Sequence, residues 1–317
     1  MSTEGGTKAV LAAAAANSFI AVTKFGAWLL TGASSLLAEA IHSVADTGNQ
    51  VLLLIGGKQA KREATPEHPF GYGRSRYLAA FLVSIILFSL GGLFALYEAW
   101  HKYQELGSGH VGESLLTSPW WWVPVVVLSL SIIAEGFSLR TALVEANQSR
   151  GSLSLVSYVR RAKSPELPVV LLEDIAAQLG LVFALAGVTL SLVTHDLIYD
   201  VIGTALIGVL LVLVAIFLGW ETRSLLLGEA ALPEHQQLIE AAILGTPGIE
   251  RLIEAKTMHL GPEKILLTAK ISLGAASSLA EVAATINAAE DRIRQAVPEV
   301  QFSYLEPDVY DPSREKP

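Results

Sequence analysis

Hydrophobic residues dominate six stretches of the chain, Ala9–Thr31, Ser35–Gly57, Leu78–Trp100, Trp120–Ala142, Leu167–Val193 and Val201–Leu227. Each is longer than the roughly 18 residues that read as a membrane-crossing helix, since about 20 residues at 1.5 Å each cover a hydrocarbon core of roughly 30 Å. Beyond them the pattern changes. Pro233–Leu244 has apolar residues at helical spacing, and Gly245, Pro247 and Gly248 then interrupt it. Ile249–Leu260 and Ile265–Ser272 alternate in short runs about the turn Gly261-Pro262-Glu263-Lys264, which predicts a hairpin. Leu279–Val297 is helical again, and Val300–Leu305 predicts a last strand. The expectation is therefore a six-helix transmembrane domain over residues 1–228 and a small two-layer α/β domain over 229–317. So small a domain buries only a modest core, and dimerisation is a common source of added stability.

Composition agrees with a membrane protein: 52% of residues are hydrophobic and 16% charged, against roughly 25% charged in soluble domains. Cysteine is absent, which removes disulfides and thiolate ligands from consideration. The formal charge of −8 gives no reason to expect nucleic acid as a partner. The first stretch lacks the charged leader, short core and cleavage site of a signal peptide, and reads as a retained helix. Lys58, Lys61, Arg62, Arg74 and Arg76 lie between stretches two and three, and Arg140, Arg150, Arg160, Arg161 and Lys163 flank the connection from four to five. The opposite loops carry almost no basic residues. This asymmetry places both termini and the tail in the cytoplasm of a multi-pass protein of the cell (inner) membrane.

Against this apolar background the polar exceptions carry the chemistry. His42 and Asp46 stand four residues apart, on one face of stretch two. Glu173 and Asp174 open stretch five, with Gln178 one turn after Asp174. Ionisable groups at such depth are expensive unless paired, hydrated or bound to an ion. An imidazole with carboxylates within reach of one ion suits Zn²⁺. His42, Asp46, Glu173 and Asp174 are therefore the candidate metal ligands, with Asn49 and Gln178 as supporting groups. With nominal edges at Ser35 and Pro168, His42 and Asp174 miss one another by roughly 10 Å; starting the helices near Ala33 and Pro165 closes most of that gap. Lys24 is a counter-charge for these acids or snorkels to an interface. Glu39 near the outer end of stretch two attracts cations or meets water, with water favoured; Glu98 and Glu135 are expected to meet water near helix ends, and Asn17 to bond a neighbouring helix. Trp120, Trp121 and Trp122 read as an interfacial aromatic belt. His101, His110 and His195 suit a surface role, and His235 and His259 a structural one.

Three segments carry a family resemblance: SLLAEAIHSVADTGNQ in stretch two, His68-Pro69-Phe70-Gly71-Tyr72-Gly73-Arg74 in the loop after it, and Tyr304-Leu305-Glu306-Pro307 near the end. With them the chain resembles the cation diffusion facilitators, six-helix zinc/proton antiporters that dimerise through a ferredoxin-like cytoplasmic tail. The resemblance implies His42 and Asp46 as one ligand pair and Asp174 as a member of the second. Where that family usually has a ligand four residues before Asp174, this chain has Val170. Glu173 is the replacement, as in the mitochondrial-zinc-transporter-like branch, and the fourth ligand is Glu173, Gln178 or water. Ala269 and Tyr304 occupy places where some members carry tail histidines, and Thr65 and Tyr72 flank His68 where others ligate a loop metal, so no strong second site is expected.

The implied function is efflux of a divalent cation, Zn²⁺ first, from the cytoplasm by proton antiport through alternating access. No enzymatic activity and no resident cofactor are expected. Glu173 in place of a histidine hardens the site, which keeps Mn²⁺, Fe²⁺ and Co²⁺ open as cargo. The rivals are a passive divalent-cation channel and a membrane receptor whose buried acids only hold helices together.

Overall fold

The computed structural model describes residues 3–108, 115–274, 278–310 and 313, with side chains from Asn17 onward; His110 lies outside the described residues. The chain forms two compact units, one of residues 1–58 and 76–223 and one of 59–75 and 224–317.

The first unit is helical. Its elements are α1 (Thr3–Thr31), α2 (Ser34–Ala60), a third long helix, α5 (Val123–Arg150), α6 (Leu155–Arg161), α7 (Glu166–Thr194) and α8 (Ile198–Leu227), which runs on into the second unit. The third helix is α3 (Ser75–Ile86) and α4 (Phe94–Ser108) joined by a π-helical stretch, Leu87–Leu93. Four helices are long and apolar enough to cross a membrane: Ser75–Ser108, Val123–Arg150, Glu166–Thr194 and Ile198–Leu227. Among the described residues α1 and α2 do not join them. For α2 the reason is chemical: Glu39, His42, Asp46, Asn49, Gln50 and Lys58 dilute its apolar content.

The helix starts follow from local chemistry. α2 begins after Gly32, whose φ of 64° suits glycine. Its first orphan N–H groups reach across to Asp200 at the start of α8: Ser34 N donates to Oδ2 at 2.8 Å, and Ser35 donates to Oδ1 through both N and Oγ. A carboxylate there complements the positive helix end. Pro165 sits at the N-cap of α7, as its missing N–H allows.

Glycines set how closely the helices cross. A Cβ on Gly92 would fall 2.6 Å from Val212 Cγ2, and one on Gly208 2.7 Å from Leu96 Cγ. Similarly, a Cβ on Gly187 would fall 2.7 Å from Tyr199 O, and one on Gly203 2.9 Å from Phe183 O. Small residues allow this approach where lipid supplies no hydrophobic drive between helices. The core between them includes Leu36, Leu87, Leu128, Leu181, Ile207, Leu211 and Leu218.

The second unit has helix α9 (Pro233–Leu244), strands β1 (Ile249–Gly261) and β2 (Lys264–Leu273), helix α10 (Leu279–Ala296) and strand β3 (Val300–Pro307). β2 lies central, antiparallel to β1 and parallel to β3. α10 supplies the crossover that a parallel pair needs. It opens with a capping box, in which Ser278 and Glu281 satisfy each other's backbone N–H groups. Ile239 and Ile243 of α9 and Ile293 of α10 pack on Ile265, Leu267 and Ile271 of β2.

The loop of residues 59–75 belongs to this unit. Phe70 meets Phe302 edge-to-face at 5.3 Å, and Arg74 Nη2 donates to Met258 Sδ at 3.2 Å. Gly73 lies against the tip of the hairpin, where a Cβ would come 2.6 Å from Leu260 O. Within the loop Arg62 covers the Tyr72 ring, His68 packs edge-on against it, and Thr65 bonds its hydroxyl. The HPFGYGR motif is thus built as a docked loop.

Candidate functional site

Glu39, His42, Ser43, Asp46 and Asn49 recur at spacings of three and four along α2, so they share a stripe. His42 is 1% exposed and Asp46 13%, with 3.5 Å between Nε2 and Oδ2. Both ring nitrogens of His42 and Oδ1 of Asp46 are buried without a hydrogen-bond partner. Buried polar atoms normally find partners, and an imidazole and a carboxylate left in this state have lone pairs available to a cation. The π-helical stretch stands beside the imidazole: a methyl on Gly91 would lie 3.8 Å from His42 Nδ1.

From α7, Glu173 and Asp174 diverge, as adjacent helical residues must. Glu173 is buried and faces α2, where Asn49 Nδ2 donates to its Oε1 at 2.7 Å. Asp174 is half-buried and faces α5, accepting from Ser138 Oγ at 2.9 Å. Gln178, one turn on, shares the direction of Asp174; its buried, unpartnered Oε1 lies 3.9 Å from where a methyl on Gly136 would sit. The structure therefore ties Asn49 to Glu173 and sets Asp174 and Gln178 against α5. Among the described residues no three His, Asp or Glu side chains are closed around a point at metal-binding distance. The donors surround a region rather than a finished shell.

Two acidic positions, Glu39 and Glu135, depart from expectation. Glu39, expected to meet water, is fully buried, and its Oε2 receives Lys24 Nζ at 3.0 Å. Lys24 is correspondingly a buried counter-charge and does not snorkel. Glu135 is buried on α5, on the same face as Ser138, and lies within electrostatic range of His42, Asp46 and Asp174. Glu98 is half-buried and accepts from Ser34 Oγ at 3.1 Å. The signal for Glu39 was available: it stands one turn before His42, on the same stripe. For Glu135 there was none, because an isolated acid near a helix end usually reaches water.

The remaining positions behave as surface or structural groups. Trp120, Trp121 and Trp122 are exposed. His101 pairs loosely with Glu105 at 3.8 Å, and His195 takes φ 56° as the C-cap of α7. His259 is buried with Nδ1 3.3 Å from Gly261 O.

The family model for the cation efflux transmembrane domain matches residues 10–227. The mitochondrial proton-coupled zinc antiporter of Homo sapiens is 32% identical over 270 residues, 84% of this chain and 46% of that protein. Metal tolerance protein C4 of Arabidopsis thaliana is 29% identical over 269 residues, 83% of this chain and 56% of that protein. The cation-efflux pump FieF of Pectobacterium atrosepticum is 24% identical over 292 residues, 92% and 89% of the two chains. The chain thus spans about half the length of the curated zinc antiporters it matches. With its polar stripe on α2, its Glu-Asp pair on α7 and this match across the helical unit, the chain belongs to the cation efflux family, the cation diffusion facilitators.

Proposed function

We propose that the protein exports a divalent cation, Zn²⁺ first, from the cytoplasm in exchange for protons. His42, Asp46, Glu173 and Asp174 are its ligands, and Asn49 and Gln178 support them. The observation that carries this reading is the buried His42–Asp46 pair with unpartnered nitrogen and oxygen atoms, across from Glu173 on α7. Imidazole must be neutral and carboxylates ionised to hold a metal, so loading releases protons and reprotonation releases the metal. Exposing such a site alternately to the two sides of a membrane couples the two fluxes. Relatives named as zinc antiporters and cation-efflux pumps support the cargo and its direction.

The same reading makes α1 and α2 the first two of six spans, since α2 places its polar stripe inward and α1 supplies the partner of Glu39. It places the protein in the cell (inner) membrane with both termini cytoplasmic, on the distribution of Lys and Arg among the loops. The tail then acts as a ferredoxin-like dimerisation domain.

Purified protein in proteoliposomes tests this. Zinc uptake driven by an imposed pH gradient, with matched proton movement, is expected. His42→Ala abolishes it or admits other divalent ions. Flux that ignores the proton gradient at clamped voltage identifies a channel instead, and unchanged zinc-for-proton exchange by His42→Ala refutes the site.

A further inference from the structure

We infer that Lys24 is a fixed counter-charge of the cargo site, held by Glu39, and that it sets how tightly a divalent cation is bound there. The inference rests on the transport reading above and adds an affinity-determining residue to it.

The pair is built, not incidental. Lys24 is 1% exposed and Glu39 0%. Lys24 Nζ donates to Glu39 Oε2 at 3.0 Å and to Ser43 Oγ at 2.9 Å, while Ser43 Oγ donates to Glu39 O at 3.0 Å. Glu39 Oε1, buried without a hydrogen-bond partner, points at α7, where a methyl on Gly180 would fall 2.7 Å from it. The ammonium therefore sits among α1, α2 and α7, fixed to the residue that follows His42 and to the acid one turn before it.

As an adhesive this pair is a poor choice. Desolvating two charges consumes most of their attraction, and uncharged residues of similar shape hold helices together as well. Its electrostatic reach is what distinguishes it. Lys24 Nζ is hydrogen-bonded to Ser43, the neighbour of His42, so the ammonium stands on the α2 stripe and opposes cation binding beside it. Glu39 opposes Lys24. A divalent ion feels a nearby unit charge twice as strongly as a proton does, at any dielectric. An ammonium beside the stripe therefore weakens divalent binding and speeds release of the metal.

The test measures zinc affinity by chelator competition on purified full-length protein, and zinc-for-proton exchange in proteoliposomes. Lys24→Met is expected to tighten zinc binding about tenfold or more and to lower the maximal exchange rate, because release slows. Glu39→Gln, which keeps the shape and leaves the ammonium unopposed, is expected to weaken zinc binding by a similar factor. The double variant returns toward the wild type, and Lys24→Arg stays nearer to it than Lys24→Met. If Lys24→Met does not fold, Glu39→Gln carries the comparison with the opposite sign. Single variants that fold and bind zinc within threefold of the wild type, or that both shift it in the same direction, overturn the inference. Failure of the unmutated protein to exchange zinc for protons instead removes the transport reading on which it rests.

Discussion

Asn49 and Glu173 bind α2 to α7 through one 2.7 Å hydrogen bond, with Asn49 fully buried and Glu173 nearly so. This bond holds the Glu173 carboxylate against the polar stripe of α2, while Asp174 bonds Ser138 of α5. Asn49→Ala is expected to leave Glu173 buried without that donor, which costs about 1–3 kcal/mol. Thermal unfolding in detergent should fall accordingly. Zinc exchange should drop by an order of magnitude or more, since ligand orientation is lost along with stability.

Asp200 holds the first turn of α2 from another helix. Asp200→Ala strips two backbone N–H groups and the Ser35 hydroxyl of their acceptor. Charged acceptors of this kind contribute about 1.5–3 kcal/mol each at most, and they share one carboxylate here. A loss of about 2 kcal/mol in unfolding free energy is expected. Hydrogen exchange at residues 34–37 should accelerate well before that of α7.

Close crossings at Gly92 and Gly208 have no room for a side chain. Gly208→Val is expected to force the third helix and α8 apart, against Leu96 at 2.7 Å, and to cost at least about 1–3 kcal/mol. Size-exclusion profiles in detergent report it as loss of a monodisperse peak. Gly26→Ala is the control, because a Cβ there meets nothing within 4 Å.

In the second unit Gly73→Ala would drive a methyl to 2.6 Å from Leu260 O, a backbone atom that cannot swing aside. The loop of residues 59–75 is expected to lift off the hairpin, and limited proteolysis at Lys61 or Arg62 should rise severalfold. Phe70→Ala weakens the same attachment by removing the edge-to-face contact with Phe302, worth about 0.5–1.5 kcal/mol beyond its buried area.

What the sequence made legible was local. The starts of α2 and α7, Ser34 and Glu166, lie within a residue of the adjusted edges at Ala33 and Pro165. The order of helices and strands in the tail follows from turn residues and periodicity, as Gly261–Lys264 and the break after Leu244 illustrate. Groups joined across long stretches of chain were not legible. Asp200 and Ser34 are 166 residues apart, and no periodicity connects them. Lys24 offered two readings because a lysine stem can carry its charge either to an interface or to a neighbouring helix. Helical rotation was equally hidden. Residues 173 and 174 differ by about 100°, and only packing against α2 and α5 says which one faces inward.

The wide turn at Leu87–Leu93 has a consequence for how the third helix tolerates change. Such a stretch is wound wider than the α-helix on either side and holds more residues per turn. Removing one amino acid there lets the segment relax to ordinary pitch while Ser75–Ile86 and Phe94–Ser108 keep their present neighbours. The same deletion elsewhere in the helix would swing one half by about 100°. The helix thus carries an expansion joint, and it lies where Gly91 abuts the imidazole of His42.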